Sequence, residues 1–286
     1  MAAAATLIVQ MRARKWGGDS QCAQRRRAEE GRGKDVRDQQ RDSIWAPIAA
    51  LIFDMDGLLV DSEPASEAAL RTFLQGHGHE LLPDTVVGAL GRRLPEAIAV
   101  VAEAYALPGS LDDLVAAFDA LRLEALRGAI VAMPGAVDIL EWAAAREVPC
   151  ALATSSFRHQ AEVALAEAGL AGRFAVEVTG GEVARGKPEP DLFLLAAARL
   201  GVAPAACVVF EDAPAGLEAA ARAGMRRIWV PNAHTRHLCP PVPVDAVLES
   251  LSQAVSWLEA RGVGHAVAGT ASAARSPCTM GPESIG

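Results

Sequence analysis

Two short acidic stretches dominate what this sequence could do chemically. The first is Phe53-Asp54-Met55-Asp56-Gly57, where two carboxylates lie two residues apart at the end of an apolar run. In an extended chain such residues point the same way, so Asp54 and Asp56 can serve one small centre. The second is Phe210-Glu211-Asp212, again two acids closing an apolar run. Any one of these acids alone reads as a helix cap or a loop residue. Four of them converging would repel one another unless a cation joined them. An all-oxygen ligand set selects a hard ion, Mg²⁺ first, which keeps some waters and also binds substrate phosphate.

Other polar residues recur at similar places. Ala153-Thr154-Ser155-Ser156 follows an apolar run and precedes a helical pattern. Hydroxyls and amides at a helix N-terminus can hold a phosphate, although Thr154 and Ser155 taken alone read equally as a cap. Gly186-Lys187-Pro188-Glu189-Pro190-Asp191 offers one lysine in a stretch that its prolines hold extended. Lys187 there can act as a compact positive charge aimed at the same point.

The elements that must position these groups follow from the hydrophobic pattern. Ala49–Phe53, Pro149–Ala153, Ala175–Val178, Ala206–Phe210 and Arg227–Val230 are short runs, mostly apolar at successive positions, as strands buried on both faces are. Helical patterns separate them at Arg158–Ala168, Pro190–Leu200, Ala213–Ala223 and Val244–Ala260. This alternation predicts a doubly wound, parallel five-stranded α/β sheet, whose ligands bind at the carboxyl ends of the strands. Nearly a hundred residues separate the first two strands. They carry further helical patterns, Glu63–Gln75, Pro83–Leu90, Pro95–Ala106 and Leu111–Leu126. The expected organisation is therefore a core of residues 46–63 and 131–261, an inserted α-helical cap of residues 64–130, and a loose Gly/Ala/Ser-rich tail at 262–286.

Composition narrows the classes. The chain has 286 residues, 51% hydrophobic and 22% charged, with 27 Lys+Arg against 35 Asp+Glu. That is enough apolar content for a substantial core, and no stretch approaches the roughly 20 apolar residues of a membrane span. Residues 1–45 are basic at +4, so the remainder carries −12. They read as a disordered extension or an organellar transit peptide. Neither membrane nor nucleic acid is an expected partner of so acidic a body. The five cysteines fall in no close pair. No disulfide framework is expected, and the compartment is cytoplasmic or, if the extension is a targeting signal, organellar.

Taken together and in order, F-D-M-D-G-L-L-V-D-S-E, T-S-S, G-K-P-E-P-D and F-E-D-A-P-A-G resemble the haloacid dehalogenase-like hydrolase superfamily. The helical insertion resembles the cap of its β-phosphoglucomutase-like branch, within the group of pseudouridine 5′-phosphatase and glycerol 3-phosphatase. The resemblance implies a Rossmann-like core and hydrolysis of a small phosphomonoester of a sugar, polyol or nucleoside. It implies Asp54 as nucleophile and Asp56 as general acid and base, uncharged when substrate arrives. Thr154, Ser155 and Lys187 would hold phosphate, and Mg²⁺ would bind Asp54, Glu211, Asp212 and the backbone carbonyl of Asp56. The partner is thus a small phosphorylated metabolite, handled by a monomer or weak homodimer. Arg92 and Arg93 are candidate substrate contacts in the cap. Dehalogenases of the superfamily lack the second Asp of the first motif. Sugar-phosphate mutases of the branch usually carry a histidine where this chain has Ser66, which tilts the expectation from mutase to phosphatase. A non-catalytic binding protein on the same fold is the remaining alternative.

Overall fold

The computed structural model describes residues 47–82 and 91–264. Its centre is β1 (Ala50–Phe53), four consecutive apolar residues with no exposed surface. On one side β1 pairs in parallel with β2 (Cys150–Ala153), and β2 with β3 (Val176–Val178). On the other it pairs with β4 (Cys207–Glu211), followed by β5 (Arg226–Trp229) and β6 (Ala246–Val247). The order is β3-β2-β1-β4-β5-β6, so the winding reverses at β1. A crevice opens at such a reversal, at the carboxyl ends of the strands. Register then fixes which residues meet there. Phe53 lies opposite both Leu152 and Phe210, so Asp54, Thr154 and Glu211 leave the sheet at neighbouring positions.

Alternation along each strand splits the core in two. Leu51, Phe53, Leu152, Val208 and Phe210 face helices α4 (Ala136–Ala145), α5 (Arg158–Glu167) and α8 (Ala254–Glu259). Ala50, Ile52, Ala151 and Val209 face α6 (Asp191–Leu200) and α7 (Pro214–Arg222). Both faces are covered, as the doubly wound reading requires. Three further helices, α1 (Glu63–Gly76), α2 (Leu94–Tyr105) and α3 (Leu111–Leu126), form an apolar cluster of their own. Phe73 and Phe118 meet edge to face within it, their ring centroids 5.6 Å apart.

The structure corrects several expectations. The sheet has six strands, and the sixth falls inside the stretch read as one helix, Val244–Ala260. Pro240, Pro241 and Pro243 keep the chain extended before it. The open edge of β5 then takes up the amides of Asp245 and Leu248 through the carbonyls of Arg227 and Trp229, both at 2.9 Å. Only Leu251–Gln253 and α8 are helical after that. Helix α4 is an element the sequence reading omitted. The packed chain also continues past 261, since Val263 is buried. Cys150 and Cys207 are buried free thiols. Pro83–Leu90, the extension 1–45 and most of the tail lie outside the described residues. Among the described residues no helix is long and apolar enough to cross a membrane.

One exposed knot pins the β3 side of the sheet. Glu182 accepts from the Thr179 amide at 2.8 Å, from Arg158 at 2.7 Å and from Arg199 at 2.7 Å. Slight burial pushes its carboxyl up, but the Thr179 amide and the two arginines outweigh this and hold it at about 2. A depressed carboxyl contributes stability above its unfolded value of 4.5 and loses it as pH falls towards 2. Solvent screening limits the effect, so Glu182→Gln is expected to cost about 1 kcal/mol at neutral pH. Urea unfolding at pH 7 and about pH 3.5 checks this. The gap between the two proteins should shrink at the lower pH, and a constant gap would refute the assignment.

Candidate active site

Asp54 is the first residue beyond β1, and its amide still donates to the Phe210 carbonyl at 3.2 Å. Lys187 reaches it from the loop before α6. The lysine is 1% exposed, and its ammonium donates to Asp54 Oδ1 at 2.5 Å and Glu211 Oε1 at 2.7 Å. The Phe193 ring lies 5.0 Å from the ammonium. Burial would strip the proton from Lys187, but the two carboxylates outweigh it and raise its pKa. Glu211 accepts from the Ala213 amide at 2.8 Å through its other oxygen. The first turn of α7 closes over Glu211 so tightly that a Cβ on Gly216 would lie 1.6 Å from Oε1. Only glycine fits there.

Asp212 completes this group. Asn232 donates to its Oδ2 at 2.8 Å and to the Gly57 carbonyl at 3.1 Å, tying the β5 end to the loop after β1. Asp212 Oδ1 is buried without a hydrogen-bond partner among the described residues. Oxygens of Asp54, Glu211 and Asp212 lie within 4.8 Å of one another. Burial, then Lys187 in opposition, then Glu211 and Asp56 leave the Asp54 pKa raised to about 7. Burial together with Glu211 and Asp54 pushes Asp212 well up as well. An orphaned carboxylate oxygen beside two more buried carboxylates fits a hard divalent cation, which would keep all three ionised. These are three of the residues expected to hold a metal.

Asp56 faces a different set of partners. Ser62 donates to Oδ1 at 2.6 Å and Arg122 at 2.8 Å, while Ser156 donates to Oδ2 at 2.6 Å. Burial alone would raise its pKa, but Arg122 and the hydroxyls of Ser156 and Ser62 reverse this and lower it. These donors favour the ionised carboxyl, whereas the resemblance implies one that is uncharged once substrate arrives. Thr154 Oγ1 caps the turn by accepting from the Ser156 amide at 3.1 Å, and Ser155 Oγ donates to the Gly91 carbonyl at 3.0 Å.

Asp54, Asp56, Ser155 and Asp212 line a cleft of about 130 Å³ under the helical layer. Leu70, Leu94, Ala97 and Phe118 supply its apolar wall, and Arg92 lines it too. Arg93 does not. It is held by Glu96 and by the Val183 carbonyl at 2.9 Å. Arg122, Ser62, Ser156 and Asn232 are site residues that sequence reasoning missed. Ser156 was there to be read as the third residue of Thr-Ser-Ser, and Asn232 as the first polar residue after the β5 run.

A family profile described as haloacid dehalogenase-like hydrolase matches residues 48–224. Hexitol phosphatase A of Escherichia coli is 39% identical over 210 residues, covering 71% of this chain and 91% of the relative. A probable pseudouridine-5′-phosphatase of Drosophila melanogaster is 37% identical, covering 67% and 85%. Among solved structures, a β-phosphoglucomutase from Clostridium difficile superposes with a TM-score of 0.66 at 21% identity, covering 75% and 96%. At that identity the likeness shows the fold alone.

Proposed function

The chain belongs to the haloacid dehalogenase-like hydrolases, and from that membership we propose how its residues share the work of hydrolysis. It is a phosphoric monoester hydrolase of small phosphorylated metabolites. The observation that supports the division of roles is Lys187, buried between Asp54 and Glu211 beside the unpartnered oxygen of Asp212. That arrangement leaves Asp54, which lines the cleft, with a charge beside it to steady it.

Asp54 attacks phosphorus, and the bond from phosphorus to the ester oxygen breaks. Asp56, protonated when it meets substrate because it took a proton from water in the preceding turnover, gives that proton to the departing alkoxide, leaving a neutral alcohol and an aspartyl-phosphate. Asp56 then takes a proton from water as that water attacks the phosphoryl group, which frees inorganic phosphate and restores Asp54. The carboxylate left by the first step is the base this second step needs. Thr154 and Ser155 hold phosphate oxygens, the latter by exchanging the Gly91 carbonyl for phosphate, while Lys187 offsets charge. Asp54, Glu211, Asp212 and the Asp56 carbonyl would hold Mg²⁺, which would supply positive charge to offset that of the transferring phosphoryl group. The three-helix layer, α1 to α3, acts as the cap, and Arg92 and the apolar wall meet the alcohol portion. The hexitol phosphatase relative favours a polyol or sugar as that portion.

Phosphate release from a panel of sugar, polyol and nucleoside monophosphates tests this. Release is expected with Mg²⁺, loss with a chelator, and recovery when Mg²⁺ is restored. No release from any ester, with conversion of β-glucose 1-phosphate to the 6-phosphate, would replace hydrolysis by phosphoryl transfer between sugar hydroxyls.

A further inference from the structure

The hydrolytic scheme accounts for the phosphate and leaves the alcohol portion largely unread. Asp54, Asp56, Glu63, Glu67 and Asp212 are the carboxylates that line the cleft. Most of them are already engaged. Asp54 accepts from Lys187, Asp56 from Arg122 and two serines, Asp212 from Asn232, and Glu67 from Arg71 at 2.7 Å. Glu63 accepts a hydrogen bond from none of the described residues. It is the first residue of α1 and is half-buried. Burial and then the charge on Asp56 raise its pKa, while His234 and Arg122 act against them. Such a carboxyl has lost part of its water and gained no donor in exchange, which favours a ligand that brings one.

Its place in the cleft decides what that ligand is. Ser62, the preceding residue, donates to Asp56 Oδ1 at 2.6 Å, so Glu63 follows directly on the group that serves the ester oxygen. A carboxylate there repels the phosphate itself, which belongs with Lys187, Thr154 and Ser155. Ser66, Glu67 and Leu70 continue from Glu63 along one face of α1, and Leu94, Ala97 and Phe118 add apolar surface. The alcohol portion thus meets an acceptor close to the ester and apolar surface for its C–H groups.

We propose that Glu63 is a specificity-determining residue, which accepts a hydrogen bond from the hydroxyl on the carbon next to the phosphorylated one and so selects open-chain polyol phosphates. The proposal rests on the hydrolase reading above and names the part of the substrate that reading left open. The selection is a matter of donors. An acyclic hexitol 6-phosphate carries an O–H at C5, which can donate to a carboxylate. In the pyranose form of glucose 6-phosphate, and beside the ester of a nucleoside 5′-phosphate, the corresponding oxygen is a ring ether without a proton. Two acceptors would then face each other, and neither would be satisfied.

The experiment measures kcat/KM of the parent, Glu63→Ala and Glu63→Gln on glucitol 6-phosphate, its 5-deoxy analogue and glucose 6-phosphate. In the parent, loss of the 5-hydroxyl should cost about 30- to 100-fold, as a missing hydrogen bond to a charged group predicts. The ring ether should cost at least as much. Glu63→Ala should lower kcat/KM on the hexitol ester by a similar factor and bring the three esters within about threefold of one another. Glu63→Gln separates the acceptor from its charge. Its carbonyl should keep part of the hexitol preference, and its amide N–H can donate to a ring oxygen, so glucose 6-phosphate should gain about 10-fold over the parent. Equal losses on all three esters in Glu63→Ala would make Glu63 a structural residue and overturn the proposal. So would a parent that hydrolyses the 5-deoxy ester as well as the hexitol ester, a comparison that stands even if Glu63→Ala folds poorly. In both cases phosphate release continues and the hydrolase reading survives. No release from any ester would remove hydrolysis first, and this proposal with it.

Discussion

Asp54→Asn is expected to lower phosphate release by about 10⁴-fold or more while the unfolding midpoint stays near that of the parent. The amide has the size of the carboxylate and can still accept from Lys187, but it cannot attack phosphorus. Stability is spared because two terms offset. The ionised Asp54 is buried at an energetic disadvantage, as its pKa of about 7 shows, and the amide removes that charge. Lys187 loses one anionic partner but keeps Glu211 at 2.7 Å. We expect a net change within about 1 kcal/mol. Hydroxylamine trapping should detect the aspartyl-phosphate in the parent and none in the variant. Comparable turnover in the variant would remove Asp54 from the nucleophile's place.

The parts of this site that could be read from sequence are those a parallel sheet itself organises. Ala50–Phe53 is apolar at every position and Asp54 follows at once, so strand and acid announce each other. The same holds for Val208–Phe210 with Glu211. In a parallel sheet the ends of all strands share one edge, so the acids, hydroxyls and Lys187 could be assembled without knowing any distance. Arg122 could not. In Leu121-Arg122-Leu123-Glu124 it reads as one charge on an amphipathic helix, and its partner Asp56 is 66 residues away. Whether such a residue points to solvent or to a carboxylate depends on how the helical layer docks, and no local pattern encodes that. Helix α4 is a different case. Ala136, Ile139, Leu140 and Ala143 are all buried and spaced as one helical face, so the signal was present. Strand β6 was illegible for a third reason. Two residues, Ala246 and Val247, become a strand only because β5 leaves an open edge beside them.

Replacing Lys187 by methionine should show that the lysine and a metal share one electrostatic task. Methionine can span the same buried path and lie against Phe193, so the substitution removes charge with little change in volume. What it leaves is three buried carboxylates with ligand oxygens within 4.8 Å of one another and no ammonium among them. Breaking a buried pair in this way costs about 3–5 kcal/mol, and turnover should fall by about 10³-fold as phosphate and Asp54 lose their common counter-charge. The cost should also depend on the metal. With the ammonium gone, the carboxylates repel one another more and attract a divalent cation more strongly. A cation that binds only the folded chain stabilises it by RT ln(1 + [L]/Kd). Adding Mg²⁺ should therefore raise the unfolding free energy of Lys187→Met by more than it raises that of the parent. Urea unfolding of both proteins in chelator and in Mg²⁺ reads the difference directly. If Mg²⁺ stabilises the variant no more than the parent, then Asp54, Glu211 and Asp212 do not act as one cation site. Lys187 would in that case serve only to neutralise Asp54, and the metal would have to be held by other groups.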